Sequence, residues 1–145
     1  MATKISGTFF GKITTQAAAS LFHEGNHALT LVVVAGPQTS PDPLWNGAQI
    51  TYWGTSDLQN GNGPQKGYWC NEHTDGDRDW GTFEGNITTS GQQVSMEGTY
   101  QFTGGTGKFT GLTGGGKYKG HFPSVTDVVN NWEGEYTLAS AKAAK

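Results

Sequence analysis

The sequence predicts an all-β protein, and within that class a small antiparallel β-barrel of about eight to ten strands with no substantial helix. Three observations carry this expectation. Apolar residues recur at every second position over long stretches, turn dipeptides separate those stretches at hairpin spacing, and glycines fall on the apolar faces. Period 2 marks a strand with one buried side, whereas a helical stripe repeats at 3.6. Several short strands at hairpin spacing mean a sandwich or a barrel. Inward glycines (Gly7, Gly11, Gly98, Gly134) tip the choice to a barrel, because sharply coiled strands need relief where side chains collide. Closure also removes edges that invite aggregation.

Taken in order, Ile5, Gly7, Phe9, Gly11 and Ile13 share one face, while Lys4, Ser6, Thr8, Lys12 and Thr14 share the other, with Phe10 the exception. The clearest run sets Val94, Met96, Gly98, Tyr100 and Phe102 against Gln93, Ser95, Glu97, Thr99 and Gln101. Trp132, Gly134, Tyr136 and Leu138 repeat the pattern against Glu133, Glu135 and Thr137. Strands are read at 3–14, 17–23, 28–35, 48–57, 66–72, 80–88, 93–103, 107–112, 116–122 and 131–139. Between them lie Gly25-Asn26, Asn60-Gly61, Asp75-Gly76, Ser90-Gly91, Gly104-Gly105 and Gly114-Gly115, the residue pairs that tight turns favour. Gly36 to Gly47, with three prolines and Trp45, is the longest irregular stretch, and Ala139 to Lys145 reads as a frayed tail or a single helical turn.

The 145 residues suit a single β-barrel domain, 1–145, able to fold without metal or disulfide. Cys70 is the one cysteine, which excludes an internal disulfide and an all-cysteine metal site. A net charge of −3 leaves no basic surplus for phosphates, so neither nucleic acid nor an anionic membrane is an expected partner. No apolar run approaches the roughly 20 residues that cross a bilayer, so no membrane insertion is expected. The amino terminus lacks the apolar core of a signal peptide. The compartment is cytoplasmic if that start is native, and periplasmic or secreted if a signal peptide has been removed.

The stretch Gly104-Gly105-Thr106-Gly107-Lys108-Phe109-Thr110-Gly111, continuing through Thr113-Gly114-Gly115-Gly116-Lys117-Tyr118-Lys119-Gly120, resembles the glycine hairpin of allene oxide cyclase-like barrels, a superfamily that includes the plant dirigent proteins. Lys66-Gly67-Tyr68-Trp69-Cys70 followed by Asp75-Gly76-Asp77 resembles a group of bacterial proteins built on that barrel. The resemblance implies an eight-stranded, calycin-like barrel with a central cavity, often a dimer or trimer, that binds or cyclises lipid-like or phenolic molecules. It carries over no catalytic residue, because no position here matches the cavity acids of those proteins. Read from the residues alone, the glycines allow a tight reversal and Phe109 supplies an anchor beyond it. β alternation rather than a helix follows them, which argues against a phosphate loop.

His23-Glu24-Gly25-Asn26-His27 matches the H-E-x-x-H pattern of zinc peptidases letter for letter. That chemistry needs a helix to bring both histidines to one face, and Gly-Asn followed by a β segment predicts a turn instead. Asp75-Gly76-Asp77-Arg78-Asp79 spaces three carboxylates as calcium loops do, but Trp80 and Asn86 stand where an EF-hand needs glycine and glutamate. It reads as a solvated turn. No metal and no cofactor are expected.

Glu97, Glu133 and Glu135 point outward by alternation, and no serine has a nucleophile-elbow context. Glu72 and His73, at a strand end, are the barrel-mouth candidates. Cys70 alternates with Tyr68 on the apolar face and reads as an inert buried thiol. Phe9, Tyr52, Tyr68, Tyr100, Phe102 and Tyr136 fall on the inward faces and are the candidate cavity residues. They form either an ordinary filled core or an aromatic pocket whose hydroxyls orient a ligand. Trp45, Trp53 and Trp69 are placed outside or at the mouth. Three functions follow: non-catalytic binding of a small apolar or aromatic ligand, an isomerase or cyclase of a lipid-like or phenolic substrate, and a carbohydrate- or surface-interaction module. The balance leans away from an enzyme.

Overall fold

The computed structural model describes residues 2–138. The tail expected at 139–145 lies outside them. Eight strands form one closed antiparallel barrel in chain order, β1 (Thr3–Ser20), β2 (His27–Thr39), β3 (Gln49–Gln59), β4 (Gly63–Glu72), β5 (Arg78–Ser90), β6 (Gln93–Gly105), β7 (Thr113–Phe122) and β8 (Asp127–Thr137). β8 pairs back onto β1, with Ile5 opposite Gly134 and Phe9 opposite Asn130. The sole helical element among the described residues is a 3-10 turn, Gly107–Phe109.

Ten expected segments become eight strands for two local reasons. The break read near Thr15 is a β-bulge, where pairing of β1 with β2 shifts between Ile13 and Thr15, and the alanines Ala17, Ala18 and Ala19 continue the same strand. One extra residue bends a strand without ending it. The strand read at 107–112 is the 3-10 turn and its exit. Gly107 is left-handed (φ +56°), Lys108 pairs with Asp75 and Asp77, and Phe109 drops wholly into the core. The glycine segment is therefore a wound connection from β6 to β7 rather than a two-residue hairpin. The pairs Asn60-Gly61, Asp75-Gly76 and Ser90-Gly91 do occupy turns, each with residues at positive φ.

The interior divides into two packed clusters. Near the end formed by the β2–β3, β4–β5 and β6–β7 connections, Ile5, Trp45, Phe102, Phe109, Leu112 and Tyr136 pack together. Further in, Phe9, Val34, Ile50, Tyr52, Met96 and Tyr118 form the second cluster. Inward glycine makes room for large rings, and a Cβ on Gly7 would lie 2.4 Å from the Trp132 indole.

Trp45 overturns its expected placement at the surface. The β2–β3 loop folds over the barrel end and buries the indole completely, with ring centroids 4.6 Å from Tyr136, 5.1 Å from Phe109, 5.9 Å from Phe102 and 5.9 Å from His73. Asp42 fixes the loop, since Tyr136 Oη donates to its Oδ2 (3.0 Å) and its Oδ1 accepts from the Leu44 amide (2.9 Å). Removing an aromatic ring buried to this degree typically costs about 3–5 kcal/mol.

Strand β4 inverts the predicted face. Gln65, Asn71 and, just beyond the strand, His73 are buried, and Trp69 packs on the core, whereas Tyr68 is 65% exposed and Cys70 is only half-buried. Apolar content misleads here because the inward face is largely polar. Its polar groups find partners across the barrel. Gln65 Nε2 donates to Tyr118 Oη (2.7 Å), and Asn71 Nδ2 donates to Asp79 Oδ2 (2.9 Å).

The winding of the β6–β7 connection is testable. A Cβ at Gly107 would meet the Asp77 carboxylate at 2.1 Å in a left-handed backbone, and one at Gly105 would meet Phe109 at 2.5 Å. The left-handed term alone costs about 1–2 kcal/mol. Gly105→Val combined with Gly107→Val should lower the thermal midpoint measured by circular dichroism. A double variant that melts with the wild type contradicts this account of the segment.

Candidate functional site

Where the two core clusters meet, inward side chains from all eight strands and the β2–β3 loop line a cavity of about 80 Å³. Its walls are mainly aromatic. Phe9, Tyr52, Phe83, Tyr100, Phe102 and Tyr118 supply rings, and Trp45, Trp69 and Trp132 add indoles. Three amides, Gln38, Asn71 and Asn130, complete the polar part of the lining.

Five buried side-chain atoms among the described residues have no hydrogen-bond partner: Gln38 Oε1, Trp45 Nε1, Tyr100 Oη, Asn130 Oδ1 and Trp132 Nε1. All five belong to residues that line this one cavity. Native interiors rarely leave such groups unpaired, since each costs about 1–3 kcal/mol. Their concentration on one set of lining residues sets this cavity apart from the rest of the described interior.

Behind Gln38 runs a buried relay. Gln38 Nε2 donates to Asn71 Oδ1 (3.2 Å), Asn71 Nδ2 donates to Asp79 Oδ2, and Asp79 Oδ1 accepts from His73 Nε2 (2.5 Å). Asp79 is fully buried and His73 nearly so, the imidazole stacked on Phe109 at 4.4 Å. His73 is thus a member of the barrel-end core, not a group at an open mouth. Glu72 faces solvent and accepts from Arg78 Nη2 (2.9 Å) and Nε (3.2 Å). The pair does not form one site.

Of the expected cavity residues, Phe9, Tyr52, Tyr100 and Phe102 line the cavity. Tyr136 is buried beneath Trp45 and is committed to Asp42, so it braces the loop instead. Tyr68 stands on the outer face opposite Trp53. Pattern reading missed Gln38, Asn71, Asn130 and Trp45, and it put Trp132 on the inward face without naming it as a cavity residue. Asn130 and Trp132 alternate with Val128, which was a usable signal, but polar residues at inward positions do not advertise themselves.

Burial raises the tyrosines' ionisation. The Tyr118 hydroxyl is pushed up to about 12 by desolvation, Tyr52 and Tyr100 are pushed up further for the same reason, and Tyr136 reaches about 12 through desolvation and then its bond to Asp42. No carboxylate, histidine, lysine or arginine is among the lining residues. The Cys70 thiol is also raised, mainly by desolvation, which disfavours the thiolate a nucleophile needs.

The zinc-peptidase letters lie in the β1–β2 hairpin turn, not on a helix. His27 bridges Glu24 (Nδ1 to Oε2, 2.7 Å) and Asp57 (Nε2 to Oδ1, 2.5 Å), and these two bonds, Glu24 first, raise its pKa. Glu24 is exposed but it has a structural partner, contrary to an idle turn position. The acidic run splits as well: Asp75 and Asp77 hold Lys108, while Asp79 turns inward.

Comparison with solved structures finds a pterocarpan synthase dirigent protein, 12% identical, matching over 93% of this chain and 88% of that one with a TM-score of 0.51. The fold is that of a dirigent-like barrel. No protein-family model matches the chain, and no curated protein matches its sequence.

The tyrosines set a pH limit. A group whose pKa is raised by folding holds its proton longer in the native state, so stability is full below the unfolded value of 10 and falls as pH climbs towards 12. The thermal midpoint should drop steeply over that interval, with phenolate absorbance of the buried tyrosines appearing only as the barrel unfolds. Early phenolate absorbance from a still-folded barrel would contradict their burial.

Proposed function

We propose that this barrel is a non-catalytic binding protein that takes a small, uncharged molecule with an apolar body into its central cavity. The observation that carries this reading is that all five unpartnered buried polar atoms belong to residues lining one aromatic-walled space. Apolar walls with a few polar groups are the usual make-up of a small-molecule site. The ligand is small because sites for drug-sized molecules run to roughly 300–1,000 Å³. It is uncharged because no charged residue is available in the lining to compensate a buried ion. A dirigent-like fold fits such a barrel, and the cyclase alternative finds less support, since the lining offers an acid–base step only tyrosines whose ionisation is raised. A homodimer or trimer is consistent with the apolar side chains exposed on β2, Leu29 and Leu31.

The test is a titration of the purified protein with cyclopentanol and with cyclopentylammonium, following the Trp45 and Trp132 indole N–H resonances. The alcohol should shift them saturably and raise the thermal midpoint, and the ammonium ion should do neither. Equal binding of both, or a cavity that takes up water alone with no shift from any uncharged ring compound, overturns the proposal.

A second reading rests on the outer face of β3, β4 and β5. Trp53 and Tyr68 are register partners, Trp80 lies diagonally beyond, and all three rings are exposed. Thr55, Lys66, Thr82 and Glu84 border the groove beside Trp53 and Tyr68. Aromatic faces flanked by hydroxyl and charged groups suit a sugar, which presents apolar C–H faces and hydroxyl edges. Sedimentation with insoluble polysaccharide should then deplete the wild type but not Trp53→Ala combined with Tyr68→Ala, and retention of neither would remove this reading.

A further inference from the structure

We infer that the cavity selects an alcohol, whose hydroxyl donates to Gln38 Oε1, and that the buried Asn71–Asp79–His73 relay enforces this choice from behind; the inference rests on the cavity-binding proposal above. The unpartnered atoms fall into two kinds. Trp45 Nε1 and Trp132 Nε1 can only donate, and Gln38 Oε1 and Asn130 Oδ1 can only accept, while the Tyr100 hydroxyl does either. A ligand with acceptors alone, such as an ether, answers the indoles and leaves both amide oxygens orphaned. A hydroxyl is the smallest uncharged group that donates and accepts at one atom.

An isolated glutamine can turn its amide over and present nitrogen instead of oxygen. Gln38 is not isolated. Asn71 Nδ2 donates to one carboxyl oxygen of Asp79, Oδ2, while His73 Nε2 engages the other, Oδ1. That leaves Asn71 Oδ1 facing Gln38, which answers with Nε2. Gln38 Oε1 is then the atom left unpaired at the cavity wall. A carboxylate that does not line the cavity thus determines that the wall accepts rather than donates at Gln38. Asp79 is a positioning residue in this scheme, acting through Asn71, which itself lines the cavity, and its burial with His73 against Phe109 and Trp45 keeps water from satisfying the chain at random.

Cyclopentanol and tetrahydropyran test this, being isomers of one formula that differ in having a hydroxyl or an ether oxygen. The folded wild type should bind the alcohol on the order of tenfold more tightly, as expected when the ether leaves a buried acceptor unmet. In Asp79→Asn the new amide keeps its oxygen on His73 and offers nitrogen to Asn71, which turns Asn71 and then Gln38. The wall then donates, and preference should pass to the ether. Gln38→Met, which removes the amide at similar volume and leaves Asp79, Asn71 and His73 in place, should narrow the preference, with Asn130 Oδ1 remaining as an acceptor, and it serves if Asp79→Asn does not fold. Equal binding of the isomers by wild type overturns the inference while leaving cavity binding intact. Folded Asp79→Asn with unchanged preference overturns the relay, as does Gln38→Met with unchanged preference. Binding of neither isomer overturns the cavity proposal itself.

Discussion

Closure of β8 onto β1 is the constraint on which the rest of this structure depends. A closed sheet has no edge, so every inward side chain meets other side chains instead of water. Apolar residues accept that readily. Polar ones need a partner across the barrel, and most inward polar groups here have one. Gln65 reaches Tyr118 across 53 residues of sequence, Gln38 reaches Asn71 across 33, and Asp79 is held from two sides. Against that background of satisfied groups, the five unpartnered atoms, all on residues around one space, stand out.

The two ends of the barrel are built differently, and the difference follows from loop length. One end is closed by short turns whose residues adopt left-handed backbone, as at Asn26, Asn60, Gly61 and Gly91. The other carries the long β2–β3 loop and the wound β6–β7 connection. There Trp45, Phe109 and Leu112 are buried almost completely and fill the mouth from above. Because Trp45 both seals this end and lines the cavity, its loop sets the depth of that cavity. Tyr136, expected in the cavity, serves that loop through Asp42. The relay shares this support, since His73 stacks on the ring that Trp45 covers.

How much of this was legible in the sequence depended on whether the inward face was apolar. β6 and β8 could be read outright: Met96, Tyr100, Phe102 and Tyr136 are buried where alternation puts them, and Glu97, Glu133 and Glu135 face solvent. β4 was read inside out, because Tyr68 and Cys70 look more apolar than Gln65, Asn71 and His73. What reverses the choice is tertiary: Tyr118 and Asp79 supply hydrogen bonds that no local pattern encodes. Trp45 sits in an irregular loop, where no periodicity exists to read. The segment 107–112 carried alternation but also Gly107, whose left-handed backbone winds it into a turn. The cavity's aromatic half was therefore visible beforehand, and its amide half was not.

That division bears on what the cavity is for. Aromatic rings alone would produce a stable, filled barrel, and replacing the buried amides and the Asp79–His73 pair by apolar groups of like volume would commonly be neutral or stabilising. The Asp79–His73 pair and three amides kept in the interior are an expensive way to hold eight strands together. They make sense if their role is direction. Each amide in the relay has one orientation because Asn71 donates to Asp79 Oδ2, and the last amide passes that orientation to the cavity wall. In the proposed reading the apolar walls give a ligand its affinity and limit its size, whereas the relay gives the wall its polarity. A barrel that needed only to fold would have no use for the second property.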